Sequence, residues 1–245
     1  MTEIIGPTLT PQEMRWDYLV PIYVMWTSNV PEEVAQASLQ GVVDAVNASG
    51  QNRQIISFGS RKFGADEYSS ADWYVEEALR RHPVPKQAGF GTQVLSSQIG
   101  QLFIEEPWQD TPHWEVLIIN HDLTAVHNDD YLNFVFGVTD TLFPSTIQSI
   151  TRIIRSVEDI DLRNQMIRRL LRHEVGHMFG LPGRNFNVEQ KLGLHCTNTC
   201  SMRQGMSIPE WAKLTKEENS RGIHFCADCL GVLTQKKANY KPLPI

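Results

Sequence analysis

The five residues His173-Glu174-Val175-Gly176-His177 constrain this chain more than any other part of its sequence. Histidines four positions apart lie on one face of an α-helix, one turn apart, so both imidazoles can reach one metal ion. A glutamate beside the first histidine can take the proton of a water molecule held by that ion. The pattern therefore predicts a helix that carries a zinc site, with His173 and His177 as metal ligands and Glu174 as the general base.

The flanking residues predict that this helix spans about 157–179. Apolar side chains recur at steps of three, four or seven before the first histidine, and Asp159 suits the positive N-terminal end of a helix. Gly180 stands where a helix commonly ends in a left-handed turn, and Pro182 discourages continuation. Because a catalytic zinc needs three protein ligands and one open position, we expect the third ligand after this turn.

The composition predicts one domain with a substantial core. The chain has 245 residues, of which 41% are hydrophobic, enough for one large domain or for two lobes around a cleft. From residue 181 onward, glycine, asparagine, cysteine and proline accumulate and regular periodicity fades. We therefore predict a single domain over 1–245, with an upper lobe at about 1–180 and a smaller, irregular lower lobe at about 181–245.

Charge and hydropathy argue against several classes of partner. The net charge is −6, the pI is about 5.7 and no basic run is present, so we expect neither nucleic acid nor an anionic membrane surface as a partner. The longest apolar runs, such as 116–119, are far too short to span a membrane. Residues 1–7 lack the basic region and apolar core of a signal peptide, so we expect a cytoplasmic location.

Strand-like and helix-like segments alternate before the motif. Residue periodicity and turn residues predict strands at 18–26, 53–58, 114–120 and 132–138, and helices at 31–47, 71–82 and 92–103. Strands that alternate with helices indicate the α/β class, in which a sheet packs against helices.

Four cysteines, Cys196, Cys200, Cys226 and Cys229, all follow the predicted helix. They are grouped as C-x₃-C, then 25 residues, then C-x₂-C, and two close pairs separated by a loop are typical of a structural Cys₄ zinc site. Free thiols, two disulfides or a redox C-x-x-C are the alternatives. The cytosolic context disfavours disulfides, and no βαβ pattern surrounds the second pair.

The residues that follow Gly180 contain a histidine that can complete the catalytic site. The metzincin pattern H-E-x-x-H-x-x-G-x-x-H/D reaches Gly183, which has no ligating side chain. If residues 183–194 are left out, His195-Cys196 follows the turn directly. The result resembles the signature H-E-x-x-H-x-x-G-x-x-H-C of the archaemetzincin family, and this resemblance implies that His195 is the third zinc ligand.

The resemblance covers about residues 114–230. Cys200-Ser201-Met202 is similar to the family's C-x-M, whose methionine forms the Met-turn beneath the zinc without binding it, and Cys226-Ala227-Asp228-Cys229 is similar to its closing C-x-x-C. The resemblance implies a metzincin-like mixed, twisted sheet with packed helices, an active-site helix, and a C-terminal lobe held together by a Cys₄ zinc site. It also implies two zinc ions per chain, one in a His₃ site and one in the Cys₄ site.

The sequence departs from the family pattern at three places. The largest is the 12-residue insertion at 183–194; the first cysteine pair is also one residue closer than usual, and the 23 residues between Met202 and Cys226 exceed the usual length. Because the insertion precedes His195, carboxylates remain alternative third ligands. These alternatives are Glu189 within the insertion and Glu217 and Glu218 on a predicted helix at 209–219.

The leading functional hypothesis is a zinc-dependent peptidase that acts on a peptide or protein substrate, with the strand predicted at 132–138 pairing with an extended substrate. The alternative is a metal-stabilised binding module with little or no hydrolytic activity, in which the insertion at 183–194 blocks or reshapes the cleft. The retained Glu174 favours the peptidase, because a binding module needs no general base.

Overall fold

The computed structural model describes residues 14–15, 17–60, 70–85, 91–106, 111–184, 187–237 and 240–243. Parts of the predicted domain, including its first 13 residues, and residues 185–186 of the predicted insertion lie outside them.

Helices and strands alternate along the described chain. The strands are β1 (Ile22–Trp26), β2 (Ile55–Gly59), β3 (Gln93–Leu95), β4 (Trp114–Ile119), β5 (Asp122–Thr124), β6 (Val126–His127), β7 (Asp130–Tyr131), β8 (Gly137–Asp140), β9 (Ser145–Ser149), β10 (Val188–Gln190) and β11 (Leu194–Cys196). The helices are α1 (Glu32–Ser49), α2 (Ala71–Arg81), α3 (Ser96–Glu105), α4 (Thr151–Ser156), α5 (Ile160–Met178), α6 (Ile208–Arg221) and α7 (Ala227–Lys237).

A mixed five-stranded sheet forms the centre of the fold, with strand order β2-β1-β4-β9-β8. Strands β2, β1, β4 and β9 are parallel to one another, whereas β8 pairs antiparallel to β9. Strand β8 therefore lies at one edge of the sheet, beside the helix that carries the H-E-x-x-H motif. The sheet and its helices confirm the predicted α/β class.

Helices cover both faces of the sheet. Along β4, Trp114, Val116 and Ile118 pack with α1 and α5, and the alternate residues Leu117 and Ile119 pack with α2 and α3. This alternation follows from the pleat of a strand, which turns successive side chains to opposite faces. Every residue of β4 is buried because both faces are covered.

Helix α5 confirms the helix predicted around the motif. Asp159 caps its N-terminus, where its side chain accepts a hydrogen bond from the Leu162 amide at 3.0 Å. At the other end, Gly180 adopts a φ of 77°, the left-handed conformation that glycine reaches without a steric penalty. The chain then turns away from the sheet, so the two motif histidines lie in the last turns of the helix.

The strand predicted at 132–138 is wrong over most of its length, since only Gly137 and Val138 belong to a strand, β8. The apolar alternation is present in the sequence, but the backbone hydrogen bonds of this segment go to separate residues instead of pairing continuously with one neighbouring strand. The Leu132 amide donates to Ala125, and the Val135 amide donates to Leu123. The predicted helix at 92–103 is also wrong at its start, because residues 93–95 pair with β5 as strand β3.

The chain after α5 forms the hairpin β10–β11 and the helices α6 and α7. The hairpin is built from the predicted insertion and is antiparallel, with Glu189 opposite His195. Within the described part of the chain, none of the helices has the length and apolar character needed to cross a membrane.

Candidate metal and active site

Three imidazoles from two parts of the chain meet beside the end of α5. His173 and His177 lie one helical turn apart, and His195 comes from strand β11. One nitrogen from each ring lies within 4.8 Å of the others. The His195 ring stacks on His173 with ring centres 5.2 Å apart, so the hairpin brings the third histidine to the motif helix.

Each of these rings is oriented by a backbone carbonyl. The Nδ1 atoms of His173, His177 and His195 donate to the carbonyls of Ser201, Leu181 and Gly193 at 2.8, 2.8 and 3.2 Å. With Nδ1 protonated, each Nε2 carries a lone pair. A ligating histidine is commonly held in this way, with its other ring nitrogen bonded to the protein.

The separation between the rings fits a zinc ion. The Nε2 atoms of His173 and His177 are 3.2 Å apart. Two nitrogen ligands about 2.05 Å from a tetrahedral zinc are separated by about 3.3 Å. Two facing lone pairs repel each other unless a cation lies between them. The donor set, the tautomers and the spacing therefore all suit Zn²⁺.

Burial favours the neutral, ligating form of these histidines. Burial, followed by the neighbouring His195, lowers the pKa of His177 to about 4. Burial also lowers the pKa of His173 and of His195. An imidazole that stays neutral at pH 7 keeps its lone pair available for a metal.

Glu174 lies between α5 and the edge strand β8 and is 94% buried. Its carboxyl group lies against the backbone of Gly137, where a Cβ would come within 2.4 Å of Oε1. Any other residue at 137 would displace the carboxylate. Burial raises the pKa of Glu174 to about 7, while a hydrogen bond from Thr139 opposes this shift. A general base acts best with a pKa near the working pH.

A chain of hydrogen bonds across β8 and β9 holds the Glu174 carboxylate. The Thr139 hydroxyl donates to Oε2 of Glu174 at 2.7 Å and lies 2.8 Å from the hydroxyl of Thr146, its cross-strand neighbour. The Gln148 amide donates to Thr146 at 2.6 Å. Because the Thr139 hydroxyl donates its hydrogen bond to Glu174, the hydroxyl of Thr146 must donate to Thr139. The hydrogen bonds therefore all point from Gln148 towards Glu174.

Met202 packs beneath the histidines and is fully buried. Its Sδ lies against the Gly176 backbone, so that a Cβ at Gly176 would come within 2.4 Å of the sulfur. The glycine of the H-E-x-x-H segment therefore makes room for the methionine between the two motif histidines. The Met-turn role that the resemblance implies for Met202 stays a prediction.

The carboxylates considered as alternative third ligands do not join the histidine cluster. Glu189 is exposed on β10, and Glu217 pairs with Lys213 at 3.8 Å on the surface of α6. Glu218 is buried but binds the guanidinium groups of Arg169 and Arg172 at 3.0 and 2.7 Å. His195 is thus the side chain that the structure places with the two motif histidines.

Glu218 supports the site indirectly, which the sequence did not indicate. It accepts a hydrogen bond from the Ser201 hydroxyl at 2.9 Å, and the carbonyl of Ser201 accepts from His173 at 2.8 Å. The same carboxylate joins two arginines of α5 to α6. It therefore fixes the segment around Ser201, which carries both the His173 acceptor and Met202.

The four cysteines form a second cluster directly beyond His195. Their sulfur atoms all lie within 4.8 Å of one another. The Cys196–Cys226 and Cys200–Cys229 separations are both 3.7 Å. A disulfide needs about 2.05 Å, whereas thiolates 2.3 Å from a tetrahedral zinc are about 3.8 Å apart. The spacing suits a Cys₄ zinc site and does not suit two disulfides.

A cleft of about 1010 Å³ opens over the histidines. Strand β8 and residues 132–136 line one side, and the tip of the hairpin and α6 line the other. Among the described residues that line it, Glu174 is the carboxylate and Arg184 and Lys236 are the permanent cations. The histidine cluster therefore faces a space large enough for a peptide segment, whereas the cysteines contribute nothing to its lining.

Sequence reasoning missed Thr139 and the backbone acceptors of the three histidines. The Gly-x-Thr alternation of β8 could have indicated Thr139, because residues two apart on a strand face the same side. The strand predicted at 132–138 ends one residue before Thr139, so that prediction does not include it. Carbonyl acceptors carry no sequence signal, since every residue has one.

Comparisons with solved structures identify the fold. Archaemetzincin from Methanopyrus kandleri superposes with a TM-score of 0.56 at 20% identity, covering 90% of this chain and 96% of that chain. A zinc-dependent peptidase from Methanocorpusculum labreanum gives a TM-score of 0.46 at 19% identity, covering 87% of this chain and 100% of that chain. No protein-family model and no curated protein sequence matches this chain. The chain therefore has the archaemetzincin fold.

Proposed function

We propose that this protein is a zinc-dependent peptidase of the archaemetzincin type. The observation that carries the proposal is the convergence of three lone-pair-bearing Nε2 atoms beside a buried glutamate at the floor of a cleft. We assign His173, His177 and His195 as the ligands of a catalytic zinc. Three protein ligands leave a coordination position for water or substrate, which distinguishes a catalytic zinc site from a structural one.

Glu174 is the general base of the proposed reaction. Zinc bound by the histidines would supply a Lewis acid that acidifies a water molecule and polarises the peptide carbonyl. Glu174 would take the proton of the attacking water and deliver it to the amine that leaves as the peptide C–N bond breaks. Thr139 holds the carboxylate in place, and the Gly137 backbone leaves room for it.

We assign the substrate-pairing role to β8 instead of the strand predicted at 132–138. Strand β8 is an edge strand, so one side of its backbone has no partner within the five-stranded sheet. An extended peptide can add to such an edge through backbone hydrogen bonds. Because Gly137 of this strand contacts Glu174, a peptide paired with β8 would pass directly over the site.

The Cys₄ cluster is assigned to a structural zinc, giving two zinc ions per chain. Four thiolates close the coordination shell and leave no position for substrate. Cys196 follows His195 directly, so a zinc held by Cys196, Cys200, Cys226 and Cys229 fixes the third catalytic ligand. The unlinked sulfurs support the proposed cytoplasmic location, because thiols persist in reducing compartments.

Zinc counting on the purified full chain tests the ligand assignment. Wild type is expected to hold zinc at both the histidine and the cysteine cluster and to cleave an unstructured protein such as casein. His195→Ala should hold one zinc ion fewer than wild type and lose cleavage. His82→Ala is the matched control, because His82 lies outside the metal clusters and bonds Tyr131 instead. A His195→Ala protein that holds as much zinc as wild type would remove His195 from the site.

The same experiment separates the peptidase from the alternative function. A binding module predicts that wild type holds both zinc ions and leaves a broad library of peptides uncleaved. Full metal content with no cleavage in the library would overturn the proposed peptidase activity and leave the metal assignment intact.

A further inference from the structure

A third group of metal-ligand side chains lies away from the cleft. Glu106, His113 and Glu115 each offer a ligand atom, and these atoms lie within 4.8 Å of one another. All three side chains are fully buried. Glu106 follows the last residue of α3, and Glu115 is the second residue of β4, so the group joins the two ends of the α3–β4 connection.

The group lies on the opposite face of the sheet from the proposed catalytic zinc. Glu115 follows Trp114 on β4, so the two side chains point to opposite faces of the sheet. Trp114 lies on the face covered by α5. The side chain of Glu115 thus points to the same face as Leu117 and Ile119, which pack with α2 and α3. The cleavage chemistry proposed above makes no use of it.

His113 is oriented in the same way as the three histidines of the cleft. Its Nδ1 donates to the Thr111 carbonyl at 2.5 Å, which leaves the lone pair on Nε2. That Nε2 faces the carboxylates, 3.3 Å from an oxygen of Glu115 and 3.7 Å from an oxygen of Glu106. Two ligand atoms each about 2.1 Å from one ion are separated by about 3.0 to 3.7 Å, depending on the angle between them.

The facing atoms have no hydrogen-bond partner among the described residues. Both carboxylate oxygens of Glu115 and Nε2 of His113 are buried and lack one. A buried, unpartnered carboxylate is costly, and one next to a second carboxylate is costlier still. A cation placed between the three side chains would satisfy all of these atoms at once.

Two other polar groups face the cluster. The Tyr74 hydroxyl donates a hydrogen bond to Oε2 of Glu106, and the guanidinium group of Arg15 is attracted to both carboxylates. Even so, Nε2 of His113 and both carboxylate oxygens of Glu115 have no hydrogen bond among the described residues.

We propose that Glu106, His113 and Glu115 bind a divalent transition-metal ion that fastens the end of α3 to the start of β4. One imidazole and two carboxylates without a thiolate suit Zn²⁺ or Mn²⁺. The ion is structural, because the side chains of all three ligands are fully buried. Its binding would compensate two buried carboxylates and close the loop that connects the two elements.

Metal analysis of three full-length variants tests the site. After incubation with Zn²⁺ or Mn²⁺ and removal of free ion, wild type should retain one ion per chain more than His113→Gln or Glu115→Gln. Both variants should keep the zinc that is lost in His195→Ala, and their cleavage activity should stay within about twofold of wild type. His82→Gln, the matched control, should retain the full wild-type count.

Equal metal content in wild type, His113→Gln and Glu115→Gln would overturn the proposal. If the variants fail to fold, anomalous diffraction from wild-type crystals decides the question. A peak at the metal absorption edge between the three side chains supports the site. A direct hydrogen bond from a protonated His113 to Glu115, without such a peak, overturns it. Neither result depends on the function proposed for the cleft.

Discussion

The histidine cluster and the cysteine cluster are neighbours that differ in openness. His195 and Cys196 are consecutive residues, yet the first faces a cleft and the second faces three other sulfurs. The histidines supply three metal-binding nitrogen atoms, and the carboxylate of Glu174 lies beside them without belonging to the ligand group. The cysteines supply four donors in a tetrahedral spacing and have no general base among them.

Under the proposed function, this difference gives the two clusters separate tasks. Three donors leave space for chemistry, and four donors close the shell and hold the fold. Because His195 and Cys196 are joined by one peptide bond, the cysteine cluster can position the third histidine of the open cluster. Changes in the cysteine cluster should therefore affect both stability and catalysis, whereas changes around Glu174 should affect catalysis alone.

The largest effect is expected from Cys229→Ala. Removing one thiolate opens the closed shell, and zinc binding in such sites is worth on the order of 10 kcal/mol. The variant should lose the structural zinc, and its free energy of unfolding should fall by more than about 3 kcal/mol. Urea unfolding followed by circular dichroism, together with zinc counting, measures both changes.

A reducing agent provides the matched control for Cys229→Ala. The sulfur separation of 3.7 Å means that no disulfide joins Cys200 to Cys229. Dithiothreitol added to wild type should therefore leave its unfolding curve unchanged. A wild-type protein that loses stability on reduction would show that covalent bonds, and not a metal, hold the cysteines together.

The second effect is on turnover, in Glu174→Gln. The amide keeps the size of the side chain but cannot take a proton, and general base catalysis contributes roughly 10² to 10⁴-fold. We expect kcat/KM to fall by that factor, while zinc content and the unfolding curve stay as in wild type. Peptide cleavage assays and zinc counting provide the measurements.

Glu189→Gln is the control for Glu174→Gln. Glu189 is an exposed glutamate of the same lower-lobe hairpin that carries His195, so it reports any general effect of removing a carboxylate near the cleft. It should cleave peptides at the wild-type rate. Cleavage by Glu174→Gln at a rate equal to the Glu189→Gln protein would exclude Glu174 as the base.

The sequence predicted the parts of the site that carry strong spacing rules. Helical spacing placed His173 and His177 together, and the paired cysteine spacing placed four sulfurs in one cluster, as the structure shows. His195 required a resemblance, because 12 intervening residues removed the spacing signal. In the structure, residues 188–190 and 194–196 pair as a hairpin, and its second strand carries His195 to the two motif histidines.

The sequence failed where tertiary pairing decides the outcome. Residues 132–136 alternate like a strand, but their backbone bonds are divided between different partners. The contact between Gly137 and Glu174 depends on how an edge strand lies on a helix, which local periodicity does not specify. The buried group around His113 was equally hidden, because its members are joined only by the α3–β4 connection.

A smaller effect is expected from acid on metal-depleted protein. Burial and His195 lower the pKa of His177 to about 4, whereas an unfolded histidine titrates near 6.5. Below about pH 6.5 the unfolded chain takes up the proton first. Stability from this group is therefore complete above that pH and falls as the pH drops towards 4, by on the order of 3 kcal/mol.

Urea unfolding between pH 7.5 and 4.5 measures this loss, after dipicolinate has removed any zinc bound at the histidine cluster. His177→Gln should show a flatter dependence on pH, because it lacks the buried imidazole. Identical slopes in the two proteins would mean that His177 titrates normally. Such a result would also mean that burial does not keep the histidine cluster neutral.

The smallest effect is expected from Thr139→Val, which removes the hydroxyl that donates to Glu174. A hydrogen bond to a carboxylate favours its charged form, so its loss raises the pKa of Glu174 and leaves less of the base ionised at low pH. We expect kcat/KM to fall about tenfold at pH 6 and less at pH 8, with the acid limb of the pH profile moved to higher pH.

Thr139→Ser retains the hydroxyl and should restore the wild-type profile. A uniform loss at every pH, unrescued by serine, would mean that Thr139 supports the packing of β8 and does not set the state of Glu174. The strand beside the histidine cluster would then support the geometry of the site without tuning the pKa of Glu174.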